Sequence, residues 1–280
     1  MNRDVKIEKL IKTSAEMRLK LLQMFSFNKA HHFGGSFSCV EIVTALYFYK
    51  MQFRADNYLK PDRDRFIMSK GHTVPTQYVA LALMGIIPDE ELASIKRLGT
   101  RLQGHPDILK TPGIEAPTGS LGQGLSYANG FALGGRFDDL QFNIYLVLGD
   151  GELQEGQVWE AAMTAAHYGL SNVCVIIDRN RLQSQGKTDE LMGIEPLAEK
   201  WKAFGWDTET VDGHDIRALA DVLDTFPRKS GRPFAIIANT VKGKGISFME
   251  NTFKYHNFNL TEQEYLQAQK ELQSRLKDLE

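Results

Sequence analysis

The sequence predicts an α/β fold, a mostly parallel sheet flanked by helices. Three observations predict it. The apolar runs Leu146–Leu148 and Val175–Ile177 are rich in branched residues and stop abruptly at polar loops. Strands buried on both faces read this way. Between them, Glu155 to Tyr168 carries Trp159, Ala162, Met163, Ala166 and His167 at helical spacing. A right-handed crossover then makes the two strands parallel. Finally, the strand–helix alternation continues to about residue 240 without a repeat or a low-complexity linker, so one domain spanning 1–280 is expected.

The elements follow in order. Residues 4–27 place Ile7, Leu10, Ile11, Met17, Leu21, Leu22 and Phe25 on one helical face. Gly34-Gly35 should break the chain, and Ser36 or Ser38 should cap a buried helix over about 38–52. These helices form an expected N-terminal layer, about 1–60. Arg65–Met68 reads as a short strand, Thr76–Met84 as an apolar helix and Glu90–Leu98 as a short helix. A small-residue helix, Leu125–Gly135, follows the glycine loop Thr118–Gly124. Beyond the central unit come a helix at Pro196–Phe204, a strand at Trp206–Val211, a helix at Ile216–Leu223 and a strand at Phe234–Asn239. The tail, about 241–280, ends in a charged helix, Thr261–Glu280, expected to be peripheral.

Composition excludes several function classes. The 280 residues carry a net charge of −2, which offers no basic field for nucleic acid or an anionic membrane. No apolar run approaches a membrane span. The N-terminus reads as an amphipathic helix, not a signal peptide. Cys39 and Cys174 both lie in apolar runs, as buried thiols of a reducing compartment would. A soluble cytoplasmic protein is the expectation.

The chemistry gathers at strand ends. Gly149-Asp150-Gly151 and Asn180 fall at the carboxyl ends of the two central strands, where open α/β sheets bind ligands. Glycines let backbone N–H groups approach a phosphate. Asp150 offers an anionic oxygen and Asn180 a neutral one, so water and phosphate oxygens could complete an octahedral Mg²⁺ shell. Taken alone, Gly-Asp-Gly is equally an ordinary strand-end turn with an Asx turn after it. His32, His72 and His105 each stand beside a glycine or proline breaker. Singly each is a loop histidine; together they suit elements converging on one site. Thr118 to Gly124 does not read as a dinucleotide loop. Its glycine spacing differs, and the irregular Pro112–Pro117 precedes it instead of a strand. His214 reads as a turn residue, and Lys244 as part of a solvated loop.

These motifs in this order resemble the transketolase family along nearly the whole chain: His32-Phe33-Gly34-Gly35, Ser69-Lys70-Gly71-His72, Gly104-His105-Pro106, Thr118–Gly124, Gly149-Asp150-Gly151, Asp178-Arg179-Asn180, Asp212-Gly213-His214, and Lys242–Gly245 through to His256. The resemblance implies the thiamine diphosphate-binding fold of the diphosphate (PP) type. It implies that Asp150, Asn180 and the Leu182 carbonyl bind Mg²⁺ or Ca²⁺, and that Gly151 contacts the diphosphate. His72, Gly119, Ser120, Leu121 and His256 would surround the cofactor; His32, His105 and His256 would face the ketose. Glu155 matches a family acid near the subunit interface. Asn257 and Arg179 depart from the residues usual at those places.

The match stops before the family's second domain, which carries the pyrimidine-binding site and its activating glutamate. The resemblance therefore implies the N-terminal subunit of a split transketolase. It would transfer a two-carbon ketol unit from a ketose phosphate to an aldose phosphate, and only with a C-terminal partner subunit, as a heterotetramer. Two alternatives share these motifs. One is a related thiamine-dependent transferase, specialised for an unusual sugar or similar to deoxyxylulose-phosphate synthase. The other is a non-catalytic cofactor-binding module.

Overall fold

The computed structural model describes residues 2–25 and 29–279. Five parallel strands form the sheet: β1 (Arg65–Met68), β2 (Ile144–Gly149), β3 (Val173–Arg179), β4 (Asp207–Asp212) and β5 (Phe234–Asn239). Their order is β1-β2-β3-β5-β4. The register aligns Gly149 with Asp178, and Asp178 with Ala238. The carboxyl ends of four adjacent strands therefore finish at one edge.

Helices cover both faces. They are α1 (Arg3–Met24), α2 (Phe33–Ser38), α3 (Val40–Ala45), α4 (Val74–Leu83), α5 (Gly124–Phe137), α6 (Gly156–His167), α7 (Thr188–Leu191), α8 (Leu197–Ala203), α9 (Ile216–Asp224) and α10 (Glu262–Lys277). Strand side chains alternate between two cores. Tyr145, Val147, Cys174, Ile176, Phe234 and Ile236 pack with α1, α3, α4 and α9. Leu146, Leu148, Val175, Ile177, Ala235 and Ile237 pack with α5, α6 and α8. That two-sided burial explains why β2, β3 and β5 are uninterrupted apolar runs. Edge strand β4 is more polar and more exposed.

Three expectations change. Gly34 and Gly35 do not break a helix; they lie inside α2. A Cβ on Gly34 would stand 2.8 Å from the Lys242 side chain. The Gly34 carbonyl accepts from Gly243 N–H at 2.9 Å. These glycines serve close approach between two segments and not a turn. The helix expected over 38–52 is likewise divided, by Cys39 and by a π-helical turn at Leu46–Lys50. The terminal helix is not peripheral. Ala268 and Leu272 of α10 are enclosed in the core that contains α1. Its start is fixed by a reciprocal Thr261–Glu264 capping box. Residues 26–27 of the first expected helix and residue 280 of the last lie outside the described residues.

Among the described residues, no helix is long and apolar enough to cross a membrane. Cys39 and Cys174 are buried free thiols.

Candidate cofactor site

A cavity of about 380 Å³ opens at the carboxyl edge of β1, β2, β3 and β5. His72 and Lys70 follow β1, Asp150 and Gly151 follow β2, Asn180 and Leu182 follow β3, and Lys242 follows β5; all line it. Gly119 and Leu121 come from the loop before α5, and His32 and His256 from more distant segments.

Three histidines form a triangle. Ring centroids stand 5.0 Å apart for His32–His72, 5.5 Å for His32–His256 and 5.3 Å for His72–His256. Burial, reinforced by nearby cationic groups, lowers their proton affinity. His32 falls to about 4 and His256 to about 3, and His72 also drops well below the ordinary value. All three are therefore neutral at pH 7 and can donate or accept hydrogen bonds. His105 is more exposed. Its ring lies against Gly119, where a Cβ would come within 2.7 Å of it. Gly119 has φ +144, so glycine suits both the contact and the backbone there.

The acidic end is built from backbone. Asp150 is 3% exposed. Its carboxylate accepts from the N–H of Gly151 at 2.8 Å and from the N–H of Arg181. Burial and the neighbouring Asp178 charge push it up to about 6. The Asn180 amide oxygen accepts from Leu182 N–H at 3.1 Å, so the Asx turn is present. Among the described residues, no group of three or more His, Cys, Asp or Glu side chains could hold a metal alone. One carboxylate, one amide oxygen and one main-chain carbonyl are donors that suit a hard cation completed by phosphate and water oxygens; the carbonyl, Leu182, is held here by the Lys242 ammonium, which such a cation would displace. An under-compensated buried carboxylate also favours such a cation.

Several residues here are not among the expected site residues, although Lys70, Asp178 and Lys242 lie inside the quoted motifs. The Lys242 ammonium donates to the carbonyls of Leu182 (2.8 Å) and Gln183 (3.0 Å) and to His256 Nδ1 (2.9 Å). Burial lowers it to about 8. The sequence pattern draws attention instead to its neighbour Lys244, and then as a solvated residue. Asp178 is completely buried and accepts from Lys70, Ser38, Thr240 and Asn180. It forms a buried anchor beneath the cavity. Glu152 ties three loops together through Ser69 Oγ, Gly122 N–H (2.9 Å) and Gly149 N–H (3.0 Å). A carboxylate just after Gly-Asp-Gly was the available signal for Glu152. For Lys70, the signal was the lysine preceding Gly71-His72.

Of the expected site residues, His32, His72, His105, Gly119, Leu121, Asp150, Gly151, Glu155, Asn180, Leu182 and His256 all line the cavity. Glu155 is exposed beside Gly122. Ser120 is exposed and does not line the cavity. His214 is not a simple turn residue. Its ring is enclosed, with hydrogen bonds at both nitrogens.

The family model of the transketolase thiamine diphosphate-binding domain matches residues 11–276. The chain belongs to the transketolase family. It is 45% identical over 242 residues to the SqwG subunit of a 6-deoxy-6-sulfo-D-fructose transketolase from Clostridium sp., covering 86% of this chain and 88% of that one. It is 39% identical over 276 residues to one subunit of the apulose-4-phosphate transketolase of Phocaeicola vulgatus, covering 99% and 98%. Transketolase from Campylobacter jejuni has a similar structure, with TM-score 0.85 at 27% identity. That overlay covers all of this chain but 46% of the Campylobacter chain. The chain thus spans less than half the length of that solved transketolase, while it matches the two single-subunit relatives over most of their length. The expected thiamine diphosphate-binding α/β fold is the one observed.

Proposed function

We propose that this chain is the diphosphate-holding subunit of a two-subunit transketolase. It would transfer a two-carbon ketol unit from a ketose phosphate to an aldose phosphate. One observation carries the reading: a carboxylate–amide–carbonyl oxygen set and a triangle of histidines share one cavity at one sheet edge.

In this reading Asp150, Asn180 and the Leu182 carbonyl hold Mg²⁺ or Ca²⁺. Gly151 contacts the diphosphate, and the Lys242 ammonium binds its oxygens. Thiamine diphosphate supplies an electron sink for the carbon–carbon bond being broken. The protein's own part is binding, orientation and proton movement. His72, Gly119, Leu121 and His256 enclose the cofactor, with Ser120 at its edge. His32, His105 and His256 face the ketose. Neutral imidazoles there hydrogen-bond sugar hydroxyls and can carry a proton to or from the oxygens at C2 and C3. Glu155 lies at the rim and belongs to the contact with another subunit. The partner subunit supplies the pyrimidine-binding domain and its activating glutamate, in a cytoplasmic heterotetramer of two chains of each kind.

A second reading concerns the sugar. The two single-subunit relatives are named for a sulfonated ketose and for apulose 4-phosphate. Their names favour an unusual ketose over the common pentose phosphates. The test is reconstitution: the chain, its partner, thiamine diphosphate and Mg²⁺ are assayed against a panel of ketose donors. Ketol transfer only in the complete mixture supports the proposal. Full transfer by the isolated chain refutes the split, and pyruvate consumption refutes the reaction class.

A further inference from the structure

Beneath the cavity, on the α1 side, lies a buried polar chain that no step above uses. Arg18 of α1 forms a two-pronged ion pair with Glu41 of α3; its Nη2 donates to Oε2 at 2.6 Å. Burial opposes the Glu41 charge, yet Arg18 and His214 hold the carboxyl down to about 2. His214 Nδ1 stands 2.9 Å from Glu41 Oε2. At the opposite side of the ring, Nε2 accepts from Val241 N–H at 2.8 Å. An accepting Nε2 carries no proton, so Nδ1 is the nitrogen that donates to Glu41. Arg18 Nε also donates to the Lys244 carbonyl at 3.1 Å.

The two contacts bracket Lys242. Val241 N–H is fixed by His214 on one side, and the Lys244 carbonyl by Arg18 on the other. Between them, the Lys242 carbonyl accepts from Asn251 N–H at 3.0 Å, and Gly243 N–H donates to Gly34. From that fixed backbone the Lys242 side chain reaches Leu182, Gln183 and His256. A flexible four-carbon side chain loses most of its placement when its backbone moves.

We infer that His214, held by Glu41 and Arg18, is a positioning residue that fixes the Val241–Lys244 segment and so sets the Lys242 ammonium in the cavity. His214 touches no cavity group itself; it acts through main chain. The inference rests on the reading that Lys242 faces the diphosphate, and the experiment separates the two.

The first measurement is hydrogen exchange on the full chain without cofactor. His214→Leu should speed exchange of the 241–245 amides about tenfold, the scale of one lost hydrogen bond to a buried group. Other protected amides should stay within about threefold. His214→Gln, which keeps an acceptor and a donor, should restore most of the protection. Unchanged exchange in 241–245, or an equal rise everywhere, overturns the inference. If His214→Leu fails to fold, Glu41→Gln is read the same way, since it removes the anchor and leaves the ring.

The second measurement is the apparent KM for thiamine diphosphate in the complex with the partner subunit. His214→Leu should raise it about tenfold, with kcat at saturation within about twofold. In a Lys242→Met background, His214→Leu should add nothing. Full additivity overturns the inference. A raised KM for Lys242→Met beside an unchanged one for His214→Leu also overturns it, and leaves the reading of Lys242 intact. An unchanged KM for Lys242→Met refutes that reading, and the inference with it.

Discussion

Replacing Lys70 by methionine tests the physical basis of the site without any ligand. Lys70 is 3% exposed and Asp178 is 0% exposed. Their ion pair is the buried link between the loops after β1 and β3. Burial opposes the Asp178 charge, but Lys70, Ser38 and Thr240 hold the carboxyl below the usual range. In the variant, Asp178 keeps three neutral donors and loses its ion-pair partner. Breaking a buried pair this way costs about 3–5 kcal/mol, because one buried charge is left uncompensated. That is a large share of a domain's net stability of about 5–15 kcal/mol.

The pH dependence gives the sign. In the native chain the Asp178 pKa is lowered, so its stabilisation is present above the unfolded value, 3.8, and lost as pH falls below it. In Lys70→Met, burial dominates and the folded pKa rises above 3.8. The destabilisation is then small near pH 4 and grows as pH rises to 8. Urea unfolding of the cofactor-free chain at both values measures this. Lys70→Met/Asp178→Asn removes both charges and should recover to within about 2 kcal/mol of the native chain. A loss below about 1 kcal/mol at pH 8 for the single variant, or no recovery in the double, would refute this electrostatic account.

Three further outcomes follow from the same geometry. Asp150→Ala should abolish Mg²⁺-dependent uptake of thiamine diphosphate in calorimetry on the assembled complex; retained uptake would mean that the cation sits elsewhere. Glu152→Leu should cost about 2–4 kcal/mol in urea unfolding, because the Gly122 and Gly149 N–H groups lose their buried acceptor; a neutral result would show that water replaces it freely. The lowered pKa values of His32 and His256 mean that their unfolded forms bind protons first. Their contribution is therefore complete above 6.5 and declines as pH falls toward about 4 and about 3. His32→Asn/His256→Asn should flatten the fall in stability between pH 6.5 and 4; an identical slope in the two proteins would remove the histidines as its source.

The centre of the sheet was legible because its strands are buried on both faces. β2, β3 and β5 have no polar face to interrupt the apolar run, so their ends stand out against the loops that follow. Cavity residues at those ends, such as Asp150 and Asn180, inherit that legibility. Gly34-Gly35 misled for an opposite reason. Glycine in sequence signals a turn, yet here Gly34 is required by the Lys242 side chain more than two hundred positions later, and Gly35 by Thr73. Long-range crowding leaves no local trace. The polar face of α10 concealed Ala268 and Leu272 similarly, because two small contact points suffice to bury one side of a charged helix.

His214 shows where motif and mechanism part. Asp212-Gly213-His214-Asp215 contains enough turn chemistry to explain itself: Asp212 accepts from His214 N–H, and Asp215 caps α9. Nothing local remains to suggest that the ring reaches Glu41 and Val241. The residues nearest the cavity share this history. Lys70, Glu152, Asp178 and His214 contribute through charge and main-chain contacts made across the fold, while the histidines and Asp150 present their side chains directly. The histidines that line the cavity and Asp150 are the part that a short pattern can encode. The roles of the supporting set become visible only when four strand ends are brought to one edge, and it is there that placement of the Lys242 ammonium is decided.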